Sequence, residues 1–255
     1  VKHINSLIIL GTSILLFIAC QKSSKNDAPT EIEKECYISI DTLDFSFGIE
    51  YDSLETYLIP GGQSNLSANT LATVVAAIGE VNQDIGGVLS VCNWVNQNFE
   101  FQNAGGSMIG VPTVDELFES KTFYGCHSAA LIISSILRES DFPAVMIETA
   151  MVQWAYDFKS GATNSYAGHV MTEVFVDEKW VLLDNNCSYV ADYDPLNPYI
   201  NAIGGDAYFV YAKGIDTWAY TDRDDSFTHS QMIFFSENVY CFEDLFHTAN
   251  YDWIN

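Results

Sequence analysis

Apolar positions recur at helical spacing twice before residue 100. Ser67 stands at a cap position ahead of Leu71, Val74, Val75 and Ile78, and Asn82 or Asp84 ahead of Val88, Val91, Val95 and Phe99, so two helices are predicted. The second is expected to end near Asn103-Ala104-Gly105-Gly106, and both follow a break at Pro60-Gly61-Gly62. Thr113 and Glu116 have capping-box spacing before Leu117 and Phe118, which predicts a brief third helix. From Cys126 the pattern broadens. Ala129, Ala130, Ile133, Ile136 and Leu137 cover a wide face, as a helix packed on several sides needs, and Asp141-Phe142-Pro143 ends it. Residues 144–148 then read as a strand, followed by a polar loop containing Gly161 and Asn164. Residues 169–176 and 179–183 read as a hairpin joined by Asp177-Glu178. Alternation at Tyr37-Ile38-Ser39-Ile40 and Phe45-Ser46-Phe47 predicts short strands or an irregular lead-in before this core. After Cys187 the chain is dense in aromatics, among them Tyr208-Phe209-Val210-Tyr211, Trp218 and Trp253, which read as further strands packed on the core. The order of elements predicts an α+β class, a helix set against an antiparallel sheet.

Composition narrows the function classes. The 255 residues are 48% hydrophobic and 14% aromatic, which excludes a disordered chain. The formal charge of −24, from 34 acidic against 10 basic residues, would repel phosphate backbones, so nucleic acid is excluded as a partner. At the N-terminus, Lys2 and His3 precede an apolar run over residues 7–19 that ends Leu16-Phe17-Ile18-Ala19-Cys20 and turns polar at Gln21. That run is short for a spanning helix and suits a secretory h-region. Its end resembles a bacterial lipoprotein signal. The resemblance implies a signal peptide over residues 1–19 and lipid on Cys20, the alternatives being an uncleaved signal anchor or ordinary cleavage nearby. The polar composition reads as a tether over residues 20–35, and the rest as one domain over residues 36–255, with a core at about 67–190 and an aromatic-rich C-terminal extension. The lipoprotein resemblance further implies a protein of the bacterial cell envelope, held to the membrane by lipid and facing the periplasm or the exterior.

Cys126 follows a glycine at the first turn of its helix, where amide dipoles stabilise a thiolate. A thiol nucleophile needs a base, and the base needs an orienting acceptor. The hairpin register supplies both, because it pairs Phe175 with Trp180, Glu173 with Leu182 and Met171 with Asp184. His169 and Asp184 then share a face, diagonal to one another at roughly 7–8 Å. Taken singly, Cys126 also reads as core filler, His169 as a strand histidine and Asp184 as a polar strand end. His127 projects about 100° away from the thiol on an ideal helix and is assigned to the pocket wall. Beyond Cys20 there are five cysteines, Cys36, Cys92, Cys126, Cys187 and Cys241, and no spacing fixes their pairing. Cys92 and Trp94 read as core residues. A metal held by Cys126, His169 and Cys187 has no support from spacing, so no metal and no cofactor are expected. Asp222, Asp224 and Asp225 lack EF-hand spacing and read as a solvated turn.

These positions combine into a pattern. Gly125-Cys126, Ala130, Leu137-Arg138, Pro143-Ala144, His169 with Glu173, and Trp180-Val181-Leu182-Leu183-Asp184 together resemble the core of the transglutaminase-like superfamily of papain-type cysteine enzymes. The resemblance implies Cys126 as nucleophile, His169 as general base and acid, and Asp184 as its orienter, with the Cys126 amide in the oxyanion hole. It also implies thiol-dependent acyl transfer, with amide or peptide hydrolysis the leading expectation for a peptide, protein or peptidoglycan-like substrate. The alternatives are a binding lipoprotein that uses this scaffold to recognise a glycan or protein, and an amine-acceptor transglutaminase. The chain departs from the family pattern at Asp141, where Gly is usual, at Val145 for Arg, at Met171 for Trp, and at Asn185-Asn186 for Pro-Thr.

Overall fold

In the computed structural model, which describes residues 43–201, 207–220, 225–238 and 251–255, the early helices begin where their caps lie. The signal run, Cys20, the tether, the strand at 37–40, Cys36, Cys241 and the acidic turn at 222–224 fall outside those residues. Helix α1 (Ala68–Ile78) opens on Ser67, whose side chain accepts the Thr70 N–H, and α2 (Ile85–Asn98) on Asp84, which accepts that of Gly87. Helix α2 stops sooner than expected. Phe99 is already extended, and Glu100–Phe101 forms strand β1, parallel to β2 (Thr122–Phe123). Between these strands, α3 (Val114–Ser120) carries a complete capping box from Thr113 and Glu116.

The central helix α4 (Cys126–Glu139) is buried nearly all round, with Ala130, Ile133, Ile136 and Leu137 inaccessible to solvent. It reverses through Asp141, whose φ is +66°. A non-glycine residue held there costs about 1 kcal/mol, and glycine removes that strain while adding freedom to the unfolded chain. Asp141→Gly will therefore stabilise the fold by about 0.5–1 kcal/mol. Thermal unfolding checks this, and a lower Tm for the variant contradicts it.

A seven-stranded antiparallel sheet follows, and the fold is α+β as the pattern of elements predicts. Its strands are β3 (Ala144–Met151), β4 (Gly168–Val176), β5 (Lys179–Leu183), β6 (Tyr189–Val190), β7 (Tyr199–Asn201), β8 (Ala207–Gly214) and β9 (Trp253–Ile254), in the order β7-β8-β3-β4-β5-β6-β9. The hairpin register is the predicted one, with Phe175 opposite Trp180 and Glu173 opposite Leu182. Asp177 and Glu178 have φ of +52° and +64°, the left-handed pair that a type I′ turn requires. The ladder closes at Thr172 opposite Leu183, one pair before Met171 and Asp184, because the Asp184 N–H turns away to the Ser188 carbonyl.

The expected polar loop after β3 is instead mostly helix, α5 (Val152–Ser160), and β3 itself runs to Met151. No side chain caps α5. Tertiary burial holds it, with Trp154 stacked on Phe158 and Tyr166 and its indole N–H donated to the Ser165 carbonyl. The aromatic C-terminal region does extend the sheet, through β8 and β7 at one side and β9 at the other edge, but it also contributes α6 (Asp225–Asn238). One sheet face buries Val170, Val174 and Leu183 against α4, and the other buries Ile147, Met171 and Leu182 with Tyr193 and Tyr208. Among the described residues no helix is long and apolar enough to cross a membrane.

Candidate active site

Gly125 sets the geometry of the nucleophile turn. Its φ of +136° is closed to most side chains, although a Cβ there would meet nothing, so the requirement is conformational rather than one of space. It delivers Cys126 at the first turn of α4, where backbone amides have no acceptor within the helix. Cys126 is the free cysteine among the described residues, since Cys92 and Cys187 form a disulfide. That bond corrects the reading of Cys92 as a simple core residue. It also removes Cys187 as a metal ligand, because its thiolate is consumed, and no metal-binding cluster occurs among the described residues.

His169 and Asp184 meet. The imidazole Nε2 lies 2.9 Å from Asp184 Oδ1, which leaves Nδ1 for the thiol. The close approach of β4 to β3 at this point needs Gly168, since a Cβ there would lie 2.3 Å from the Thr149 carbonyl oxygen. Thr149 Oγ1 then donates to the His169 carbonyl at 2.8 Å. Asp184 sits in a tight turn, with the Cys187 N–H on its carbonyl. The disulfide ties this turn to α2, and Asn96 Nδ2 reinforces the tie by donating to the Asn185 carbonyl at 2.8 Å.

Electrostatics favour a charge-separated site. Burial pushes the Cys126 thiol up, but hydrogen bonds from His127 and His169 and the charges of both rings outweigh it and pull the thiol down to about 6. Burial opposes charge on His169 as well, and its hydrogen bonds to Asp184 and Cys126 outweigh that and raise it to about 10. At neutral pH the site holds a thiolate beside imidazolium.

Two further residues shape the surroundings of the thiol. His127 is not a mere wall residue. It shares a cavity wall with Cys126 and lowers the thiol's pKa, and its Nε2 forms an ion pair with Glu148 Oε1, close but not aligned as an ideal hydrogen bond. The 100° offset of adjacent helical residues separates Cα–Cβ directions, not the reach of an imidazole over a thiol in the first turn. A carboxylate following an apolar run in mid-strand, Ala144-Val145-Met146-Ile147-Glu148, is the sequence signal that marks its partner. Asn185 is the second. Its Nδ2 donates to the Cys126 carbonyl at 3.1 Å and to that of Val170 at 3.0 Å, fastening the nucleophile turn to β4.

The thiol lies between two cavities. One, of about 430 Å³, is mostly apolar and runs under Met108, Ile109, Tyr166 and Met232, with His127 and Glu148 in its wall. The other, of about 580 Å³, is more open and is lined by Phe101, Phe123, Asn96, Asn185 and Asn186. Cys126 and His169 border both.

Residues 72–185 match the profile of the transglutaminase-like superfamily. Among solved structures, a candidate cysteine protease from Cytophaga hutchinsonii is similar at 16% identity with a TM-score of 0.47, over 67% of this chain and 50% of that one. The aligned region thus spans about half the length of that protein. No curated protein matches the sequence.

Proposed function

Residues 72–185 of this chain are a transglutaminase-like superfamily domain, and from that premise we propose that the protein is a cysteine hydrolase of amide bonds acting through Cys126, His169 and Asp184. The observation that carries the reading is the 2.9 Å His169–Asp184 contact beside the free thiol, at the start of a buried helix. In the reaction, the Cys126 thiolate attacks the carbonyl carbon and the oxyanion forms against the Cys126 amide. His169, carrying the proton, delivers it to the amide nitrogen as the carbon–nitrogen bond breaks, leaving a thioester and a free amine. Neutral His169 then takes a proton from water, hydroxide adds to the thioester, and the thiolate leaves with release of the acid. Asp184 holds the ring in register throughout. Hydrolysis is favoured over amine transfer because water reaches the open cavity, whereas amine transfer needs a second dedicated site.

The substrate class is a peptide, protein or peptidoglycan-like amide. The run ending Ala19-Cys20 supports export and lipid attachment at Cys20, which would place the domain at the cell envelope. The test is hydrolysis of peptide aminocoumarin amides and peptidoglycan fragments by the purified protein. Cys126→Ala will abolish release and His169→Ala will lower it by about 10³-fold or more. Release that persists in Cys126→Ala at the wild-type rate would overturn the assignment.

A further inference from the structure

Glu148 has no solvent exposure, yet it remains a carboxylate with its acceptor positions occupied. Tyr211 donates to its Oε2 at 3.0 Å and Tyr220 to its Oε1 at 2.5 Å, while His127 supplies the counter-charge. The strand is shaped for this contact. The β3–β8 register runs Glu148 to Ala212 and then Thr149 to Val210, so Tyr211 is the extra residue of a β-bulge that re-aims its side chain. Burying an ion pair in this way costs several kcal/mol of desolvation, and packed apolar residues commonly do as well, so stability alone does not require it.

Its position explains it better. His127 borders the enclosed cavity and not the open one, whereas His169 borders both. The groups facing the thiol are His127 from α4, His169 from β4 with Asp184 behind it, and Glu148 and Tyr211 from β3 and β8 behind His127. His229 of α6 lies across the cavity, its ring stacked on Tyr166 at 3.5 Å. No lysine or arginine lines either cavity among the described residues, so any positive charge at the sulfur comes from imidazoles.

We propose that His127, locked by Glu148, is a second and fixed imidazolium at Cys126, which holds the sulfur's negative charge from the enclosed cavity while His169 alone moves protons. The inference rests on the nucleophile assignment above. It gives the two rings different duties. When His169 has surrendered its proton to the leaving amine, the only cation left beside the sulfur is His127. In deacylation the departing thiolate is then received by a charge that has not changed state. Burial opposes charge on His127, but Glu148 outweighs it and raises the ring to about 10, in keeping with a proton that stays. His127 is thus a positioning residue for the thiolate, and Glu148 positions His127.

The experiment is the pH dependence of Cys126 alkylation by iodoacetamide, in the full chain and in His127→Gln, Glu148→Gln and His169→Gln. His127→Gln will move the midpoint up by about one pH unit or more and slow the reaction at pH 6 by about twofold or more, since the thiolate fraction falls while the remaining thiolate is more basic. Glu148→Gln, which keeps the shape and an acceptor for one of the two tyrosine hydroxyls while its amide NH2 can donate to the other, will move it in the same direction. If Glu148→Gln does not fold, His127→Gln decides alone, since that ring is partly exposed. A midpoint unchanged in folded His127→Gln but raised in His169→Gln overturns the inference and leaves the triad standing. An ordinary thiol midpoint in the wild-type protein overturns both.

Discussion

Cys126 will react with iodoacetamide at pH 6 about 20-fold faster than an ordinary cysteine, and amide hydrolysis will hold a plateau from about pH 6 to about pH 10. A thiol half ionised at pH 6 carries roughly 500-fold more thiolate there than one whose pKa is near 9, and its lower basicity returns part of that gain. The acid limb falls as the thiolate takes a proton, and the alkaline limb falls as His169 loses the one it must donate. Both midpoints belong to the coupled set of thiol and imidazoles. Stability follows the same signs. His169 and His127 are raised in the folded state, so their contribution is complete below the ordinary histidine value and is lost as pH rises through about 10. Cys126 and Glu148 are lowered. The share from Cys126 is lost as pH falls through about 6, and that from Glu148 at its own depressed value, below the ordinary carboxylate. Stopped-time alkylation and initial rates across pH 4–11 check the profile (about seven units suffices to see both limbs). An alkylation rate that only begins to climb near pH 8 contradicts it.

Lys213→Met will destabilise the protein by about 3–5 kcal/mol, the largest single loss expected away from the site. Lys213 is buried, and its Nζ donates to Glu173 Oε1 at 2.7 Å, to Tyr51 OH at 2.7 Å and to the Pro195 carbonyl at 2.5 Å, so all three protons are used. Glu173 is equally enclosed and accepts from Tyr51 and Tyr193 as well, each at 2.7 Å. Removing the cation strands a buried carboxylate on β4, the strand that carries His169. The double variant Lys213→Met with Glu173→Gln removes both charges and keeps an acceptor for one tyrosine hydroxyl and a donor toward the other, and it will lose less than Lys213→Met alone. Urea unfolding midpoints compare them. A double variant less stable than the single one would show that the pair's charge is not what matters. Val145 stands directly opposite Glu173 in the β3–β4 register, where the family often has Arg, and the cation that Glu173 meets comes from β8 instead.

Much of the site was legible because it depends on local rules. Ser67, Asp84 and the Thr113–Glu116 box start helices through short-range hydrogen bonds, so their positions follow from spacing alone. Asp177-Glu178 and the period-2 alternation determine the hairpin register, and that register puts His169 and Asp184 on one face before any tertiary contact is known. Helix α5 was not legible, because nothing within Val152–Ser160 caps it and its stability comes from Trp154 packing on residues later in the chain. The Cys92–Cys187 disulfide joins positions 95 residues apart, a distance over which spacing carries no information on pairing.

By itself, then, the sequence determined a cysteine at a helix start and a His–Asp pair one hairpin away, since turn chemistry and strand parity are short-range constraints. Only the tertiary structure decided what surrounds the sulfur. Glu148 comes from strand β3, Tyr211 and Tyr220 from a bulge in β8 and the turn after it, and the two tyrosines meet His127 on Glu148 because the sheet order sets β3 between β4 and β8. Burial then turns that convergence into a charged pair, for a carboxylate excluded from water stays ionised only where such partners meet it.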